Sequence, residues 1–151
     1  MGFAELGVPA ALVQALAKEG ITAPTAIQAT AIPPLLAGQT AYINSETGTG
    51  KTLAYLLPLF CRIDPAQTAT QAVVLAPTHE LAIQIQQQAN RLAQHSGLPI
   101  RALLLIGATA LSRQLDKLKT KPHMVVGSPS RILELIELRK LKVQGVKCVV
   151  I

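Results

Sequence analysis

One short loop carries the residue types that bind phosphate. Residues 45–52 read Ser-Glu-Thr-Gly-Thr-Gly-Lys-Thr and precede an apolar, helix-compatible run at 53–60. In a strand–loop–helix setting, glycines let consecutive backbone N–H groups converge on one anion, and the helix N-terminus adds partial positive charge. Lys51 would reach the β- and γ-phosphates, and the Thr52 hydroxyl would hold Mg²⁺. The loop therefore predicts nucleotide binding, although Ser45 stands where the general pattern has glycine; the competing interpretation is a Gly/Thr-rich turn with a surface lysine.

Length and composition indicate one intracellular domain. Of the 151 residues, 50% are hydrophobic and 15% charged, against about 25% charged residues in a typical globular domain. Such an apolar chain suggests part of a larger protein. Cys61 and Cys148 lie in apolar stretches without metal-ligand spacing, so we expect two buried free thiols. The sequence shows neither a secretory signal nor an apolar run of membrane-spanning length, which predicts an intracellular protein, cytoplasmic or nuclear, with no membrane partner.

The charge balance is basic. Fourteen Lys and Arg against eight Asp and Glu give a formal net charge of +6, and the basic residues lie mostly between Arg101 and Lys147. This balance suits a polyanionic partner. Taken alone, it supports nucleic-acid binding only weakly, because no long Lys/Arg run is present.

Apolar strand-like runs alternate with helical segments. Strands are predicted at 40–44, 72–76, 101–106, 124–127 and 147–151, and helices at 9–19, 25–37, 51–63, 80–95, 111–118 and 130–139. Near-continuous Val/Leu/Ile strands separated by helices predict an α/β fold with a parallel β-sheet flanked by helices on both faces. Two helices within residues 1–38 precede the α/β core at 39–151, and together they form one predicted domain.

Small or hydroxyl residues follow three of these predicted strands, directly before a helix. Ligands of open α/β sheets bind beyond the carboxyl ends of the strands, where helix N-termini leave backbone N–H groups unpaired. For each junction alone, ordinary helix capping is an equal explanation. Together the junctions predict several anion-accepting helix starts along one edge, an arrangement that suits a chain of phosphates.

The ordered motifs resemble those of the first RecA-like domain of DEAD-box RNA helicases, over residues 3–151. Residues 20–28, Gly-Ile-Thr-Ala-Pro-Thr-Ala-Ile-Gln, resemble the family's Q motif, and Phe3 stands upstream where the family carries an isolated aromatic. Residues 45–52 resemble the family's phosphate loop, in which a small residue commonly replaces the first glycine. Further along the chain, residues 77–82 resemble motif Ia, 107–108 the Gly-Gly pair and 128–131 motif Ib, with Gln114 at a familiar position.

This resemblance implies a RecA-like P-loop NTPase domain that binds ATP or ADP with Mg²⁺. Gln28 could donate to and accept from the N6/N7 edge of adenine, and Phe3 could stack on the base. Lys51 and Thr52 are implied as catalytic residues, and Thr52 as the Mg²⁺ ligand. Otherwise, Gln28 is a solvent-facing helix residue and Phe3 a core aromatic. The nucleotide-binding residues predicted in this way are Phe3, Gln28, Ser45, Glu46, Thr47, Gly48, Thr49, Gly50, Lys51 and Thr52.

The resemblance also implies RNA binding through the backbone, without sequence preference. The RNA-binding residues predicted in this way are Pro77, Thr78, His79, Glu80, Gly107, Ala108, Ser128, Pro129 and Arg131. His79 replaces an arginine of the family, and Ala108 and Ser130 replace glycines. We therefore expect RNA binding that is weaker than is typical of the family.

The sequence stops at Ile151, just before the position of the family's Asp-Glu-Ala-Asp motif, and does not include the second RecA-like domain. We expect the parent protein to be an ATP-dependent RNA helicase with that second domain as partner, and this incomplete domain to bind adenine nucleotide without efficient hydrolysis. A non-catalytic nucleotide- or RNA-binding module is the alternative. An unrelated P-loop kinase or GTPase is a third, against which the Q motif argues.

Overall fold

The computed structural model describes residues 2–46, 48 and 50–151. A 3₁₀ turn at Ala4–Leu6 precedes six α-helices: α1 (Ala10–Lys18), α2 (Ala26–Leu36), α3 (Lys51–Arg62), α4 (His79–Ser96), α5 (Leu111–Leu118) and α6 (Pro129–Glu137). The strands are β1 (Ala72–Leu75), β2 (Ala102–Leu105), β3 (Met124–Gly127) and β4 (Cys148–Val150). The chain forms two compact units, one comprising Met1–Arg62 with Leu92–Leu98 and the other comprising Ile63–Arg91 with Pro99–Ile151.

The first unit is helical, and its helix α2 begins with a reciprocal cap. The Thr25 hydroxyl accepts a hydrogen bond from the Gln28 backbone N–H at 3.4 Å, and the Gln28 side chain accepts one from the Thr25 N–H at 2.9 Å. This capping box satisfies two N–H groups that the first helical turn leaves unpaired. Helix α3 packs against α2, with Leu56 and Leu57 fully buried, and this packing positions the end of the loop that precedes α3.

The second unit contains a fully parallel four-stranded sheet in the order β2-β3-β1-β4. The predicted parallel α/β fold is therefore confirmed. Leu75 at the end of β1 and Leu105 at the end of β2 both pair with Gly127 at the end of β3. Because the three strands end at the same level, the loops that follow them leave from one edge of the sheet.

The core of this unit joins the sheet to helices α5 and α6. Its buried members are Val73, Leu105, Val125, Ile132, Leu135 and Leu141. Burying an aliphatic side chain of this size contributes roughly 1.5–3 kcal/mol. The strands and both helices are thus held by the same apolar cluster, which positions the loops between them.

Gly127 is required at the centre of that edge. A Cβ atom built on it would overlap the Leu105 backbone carbonyl oxygen. The absence of a side chain lets β2 and β3 keep their register up to the last residue of each strand.

Two sequence expectations were wrong. No strand forms at 40–44 in the part of the chain that is described, since this segment pairs with none of the four strands and Tyr42 is 93% exposed. Apolar residues favour extended backbone, but a strand also requires a hydrogen-bonded neighbour. Cys61 is a free thiol, yet it is exposed rather than buried, because it faces outward in the last turn of α3; Cys148 is partly buried.

Among the described residues, no helix is both long and apolar enough to cross a membrane.

Candidate functional site

The phosphate-binding loop predicted at 45–52 leads directly into α3, whose first residues are Lys51 and Thr52. The Lys51 ammonium donates a hydrogen bond to the Ser45 carbonyl oxygen at 2.6 Å. The lysine side chain therefore spans the loop from position 51 back to its first residue. The first turn of α3 adds the partial positive charge of a helix N-terminus. Two residues predicted to bind nucleotide, Thr47 and Thr49, lie outside the described residues.

The start of α2 contacts this loop through Gln28. The Gln28 side-chain N–H donates to the Gly50 carbonyl oxygen at 3.1 Å. Gly50 has a φ of 89°, and a Cβ atom there would overlap the Gln28 side-chain nitrogen and lie 3.2 Å from the Thr25 hydroxyl oxygen. Glycine is therefore needed at position 50 both for its left-handed backbone and for this close approach. Two segments predicted to act together, the Q motif and the phosphate loop, do lie in contact.

Gln28 is not the solvent-facing residue that one interpretation of the sequence allowed, because it is 2% exposed. Its amide oxygen accepts from Thr25 and its amide nitrogen donates to Gly50. An amide oxygen has two lone pairs and an amide nitrogen two hydrogens, so one acceptor site and one donor remain for a further partner. Recognition of adenine through them stays a prediction.

Phe3 is buried in the first unit at 2% exposure, and it directly precedes the 3₁₀ turn at Ala4–Leu6. This is the arrangement of a packing aromatic. Stacking of Phe3 on a base stays a prediction that requires its ring to be uncovered.

The Thr52 hydroxyl is hydrogen-bonded to the Tyr55 hydroxyl, one turn further along α3. Burial raises the pKa of Tyr55 to about 12, an effect that the bond to Thr52 partly opposes. Tyr55 is thus a neutral phenol at physiological pH. Sequence analysis missed it, although its i,i+3 spacing from Thr52 on a helix was the available signal.

Thr52 is the residue predicted to bind Mg²⁺, and this stays a prediction. Within the described ranges, no group of three or more His, Cys, Asp or Glu side chains could hold a metal ion. Mg²⁺ commonly takes one or two protein oxygens and completes its shell with phosphate oxygens and water. A single hydroxyl at Thr52 fits that pattern.

In the second unit, the loop after β1 contains the residues predicted as motif Ia. Pro77, Thr78, His79 and Glu80 are all exposed. The Thr78 hydroxyl accepts from the Leu81 backbone N–H at 3.1 Å and so caps the start of α4. The capping interpretation therefore holds for Thr78, while its neighbours His79 and Glu80 present their side chains to solvent.

The loops after β2 and β3 lie beside each other in the sheet order. Gly107 and Ala108 are exposed. The Ser128 backbone N–H donates to the Leu105 carbonyl at 3.1 Å, which joins the start of α6 to the end of β2. Ser128 does not cap α6 through its side chain, and its buried hydroxyl oxygen has no hydrogen-bond partner among the described residues. Pro129 is the first residue of α6, a position that suits its missing N–H.

Arg131, predicted to contact RNA, is held by protein groups. One terminal nitrogen donates to the Thr109 carbonyl at 3.1 Å and to the Gln114 side-chain oxygen at 2.8 Å. Its Nε lies 2.9 Å from a Glu134 carboxylate oxygen, and its side chain is 13% exposed. Three of the five guanidinium N–H groups are used in these contacts. Sequence analysis did not assign Gln114 a role, although a glutamine on the apolar face of α5 was a visible signal.

Comparisons with known proteins agree with the motifs. The sequence matches the DEAD/DEAH box helicase family over residues 25–151. It is 49% identical over 139 residues to the DEAD-box ATP-dependent RNA helicase CshC of Bacillus cereus, covering 92% of this chain and 35% of that protein. It is 45% identical over 141 residues to the DEAD-box ATP-dependent RNA helicase CshB of Bacillus subtilis, covering 93% and 32%. The chain thus spans about a third of the length of these curated relatives.

Solved structures show the same likeness. A DEAD box protein from the hyperthermophile Methanococcus jannaschii matches with a TM-score of 0.88 and 30% identity, over 99% of this chain and 40% of that one. S. cerevisiae Dbp5 bound to RNA and ADP BeF3 matches with a TM-score of 0.81 and 27% identity, over 97% and 37%.

Proposed function

This chain belongs to the DEAD/DEAH box helicase family, and on that premise we propose that it binds an adenine nucleotide with Mg²⁺ and the backbone of an RNA. The parent protein would be an ATP-dependent RNA helicase in which a second RecA-like domain completes both sites and RNA duplexes are remodelled with ATP hydrolysis. The observation that carries the nucleotide half is the contact between Gln28 and Gly50, with Lys51 spanning the same loop.

The phosphate tail would be bound by Lys51 and the first turn of α3. The Lys51 ammonium already donates to an oxygen, the Ser45 carbonyl, and a charged phosphate oxygen is a stronger acceptor for it. The ammonium would move from that carbonyl to the β- and γ-phosphates. Backbone N–H groups of the loop and of the helix start would surround the same anion.

Thr52 would supply a protein oxygen for Mg²⁺, which when bound neutralises phosphate charge. Tyr55 would hold the Thr52 hydroxyl in place, since the two hydroxyls are hydrogen-bonded. Because this bond lowers the pKa of Tyr55, the Thr52 hydroxyl donates to the phenol oxygen, and the lone pairs of the threonine oxygen would remain for the metal.

Gln28 would select the base through the spare acceptor and donor of its amide. Adenine offers an N–H₂ donor beside a ring-nitrogen acceptor, which a side-chain amide matches. Guanine offers two acceptors at the same edge and leaves the amide oxygen unpaired, so it would bind less well.

RNA would be bound by the loops after β1, β2 and β3, which leave the same edge of the sheet. The exposed turn at Gly107 and Ala108 suits contacts to sugar and phosphate oxygens, whereas the Ser128 hydroxyl oxygen is buried. Such contacts carry no base information. The net charge of +6 would add a salt-dependent attraction to the polyanion.

Hydrolysis by this chain alone is proposed to be inefficient. Phosphate transfer to water requires a residue that orients the attacking water as well as a metal. A purely non-catalytic binding module, the alternative, would show the same behaviour in this chain but no turnover in the parent protein.

Calorimetric titration with ADP and with GDP, each with Mg²⁺, tests the nucleotide half. We expect ADP to bind at least about tenfold more tightly than GDP, and Gln28→Ala to remove the preference. Gln14→Ala changes an exposed glutamine of α1 and is the matched control. Equal affinity for both nucleotides would remove the adenine assignment, and RNA-stimulated phosphate release by this chain would overturn the proposal that it binds without efficient hydrolysis.

A further inference from the structure

Gln114 is a polar residue where packing alone favours an apolar one. Helix α5 turns Leu111, Leu115 and Leu118 toward the core of the second unit, and Gln114 is 1% exposed. Burying an amide without partners costs free energy, so a buried glutamine indicates that both ends of its side chain are satisfied.

Both ends of the Gln114 side chain are satisfied, and by different loops. Its amide nitrogen donates to the Ile106 carbonyl at 2.7 Å, just after β2. Its amide oxygen accepts from Arg131 at 2.8 Å, in the first turns of α6. Gln114 therefore connects the loop after β2 with the helix that follows β3.

Arg131 binds the other end of the turn that contains Gly107 and Ala108. The nitrogen that donates to Gln114 also donates to the Thr109 carbonyl at 3.1 Å. Ile106 and Thr109 flank the exposed pair Gly107 and Ala108. The turn is thus held at its first end by Gln114 and at its second end by Arg131, and the two holding side chains are bonded to each other.

The orientation of Arg131 is fixed independently of RNA. Glu134, one turn further along α6, lies 2.9 Å from its Nε. The Arg131 side chain is 13% exposed, and three of its N–H groups contact Thr109, Gln114 and Glu134. The guanidinium is therefore held by protein groups. Its planar fork matches several acceptors at once, which an ammonium group cannot do.

We propose that Gln114 is a positioning residue for RNA binding: with Arg131 it fixes the Gly107–Ala108 turn relative to the start of α6, so that the loops after β2 and β3 present one preorganised surface to the RNA backbone. This inference rests on the proposed function. It assigns Arg131 a role in holding the loops instead of the role of a free cation for phosphate. Preorganisation raises affinity because the loops need no ordering when RNA binds.

Gln114→Met tests the proposal, since methionine keeps the length and volume of the side chain but removes both hydrogen bonds. Gln86→Met is the matched control. The Gln86 amide donates to the Ala102 carbonyl at 3.1 Å, at the opposite end of β2, so this variant loses the same type of bond away from the turn.

The first measurement uses no RNA. The Thr109 amide N–H donates to the Ile106 carbonyl at 3.3 Å. Hydrogen exchange at this amide should be about tenfold faster or more in Gln114→Met, and unchanged in Gln86→Met, because opening of the turn costs less once its bonds are lost. Unchanged exchange at the Thr109 amide would overturn the proposal.

The second measurement is fluorescence anisotropy with a labelled single-stranded oligouridine. Gln114→Met should weaken binding by about tenfold, with unchanged affinity for ADP. The dependence of affinity on salt should keep its slope, because no cation that neutralises a phosphate is lost. A residue that merely stabilised the fold would lower the melting temperature and leave RNA affinity at 25 °C unaltered, and that result would also contradict the proposal.

Arg131→Lys separates the two roles of the arginine and serves if Gln114→Met does not fold. It keeps the positive charge but loses the fork that joins Thr109 and Gln114. We expect the same weakening of RNA binding as in Gln114→Met. Affinity equal to that of the wild type would show that only the positive charge at position 131 matters for RNA binding, and would overturn the proposal. If the wild-type chain binds no oligouridine while exchange at the turn still responds to Gln114→Met, the proposed RNA function fails and the structural coupling of the loops stands.

Discussion

The phosphate loop and the loops after β1, β2 and β3 are held in place by different kinds of contact. The phosphate loop follows a segment without strand pairing and is fixed by side chains, Lys51 at Ser45 and Gln28 at Gly50. The other loops extend from a parallel sheet whose strands end in register at Gly127, and backbone bonds join neighbouring strand ends.

This difference predicts how each region responds to substitution. Where single side chains hold a loop and also bind the ligand, removing one of them should remove function at little cost in stability. Where a sheet positions the loops, a change at the strand ends should act first on the free energy of unfolding, and function should be spread over several backbone contacts.

Lys51→Ala should produce the largest effect in the first region. Loss of the charged donor is expected to weaken ADP binding by about 100-fold, measured by calorimetry, with unfolding free energy changed by less than about 1 kcal/mol. Lys119→Ala, which removes a lysine that is 80% exposed in its side chain, is the control and should leave binding intact. Wild-type affinity for ADP in Lys51→Ala would contradict the claim that single side chains of the phosphate loop bind the ligand.

Gly127→Ala should produce the opposite pattern in the second region. The added Cβ overlaps the Leu105 carbonyl oxygen, so we expect a loss of roughly 1–3 kcal/mol in urea unfolding, with ADP affinity retained under folding conditions. A Cβ at Gly107 meets nothing within 4 Å, and Gly107→Ala should therefore be close to neutral for stability. Equal stabilities of the two variants would show that the sheet edge is not the constraint described here.

Tyr55 gives a smaller effect that sharpens the description of the first region. Because its folded-state pKa of about 12 exceeds the ordinary value near 10, the unfolded chain loses this proton first as pH rises. The resulting contribution, up to about 2 kcal/mol, is complete below pH 10 and lost between pH 10 and about 12.

Unfolding measured across that pH range in Tyr55→Phe should lack this part of the decline. Tyr42→Phe, at a residue 93% exposed, should decline as the wild type does. If the stability of Tyr55→Phe declined with pH as that of the wild type does, ionisation of the Tyr55 phenol would be excluded as the cause of the decline.

The elements built by local pattern could be predicted from the sequence. The bounds of β3 and α5 match the predictions, and the parallel sheet follows from strands rich in Val and Leu separated by helices. The positions of the turns after β2 and β3 could also be predicted, because small residues stand between the apolar run of each strand and the helix that follows.

The features that depend on tertiary partners could not be predicted. A strand at 40–44 has the right residues, yet forms no ladder in the described chain. Gln28 and Arg131 have the expected types for binding a ligand, but the sequence does not show that Gly50, Thr109 and Gln114 are already their partners. The apolar stretch around Cys61 did not show which side of the last turn of α3 faces outward.

The central claim, that residues 45–52 bind the phosphates of an adenine nucleotide, is tested most directly by nuclear magnetic resonance of the ¹⁵N-labelled chain titrated with ADP and Mg²⁺. We expect saturable shifts at the backbone amides of Gly48, Gly50 and Lys51 and at the side-chain amide of Gln28, with GDP producing smaller ones. Shifts confined to residues away from this loop, or no shifts at millimolar ADP, would contradict it.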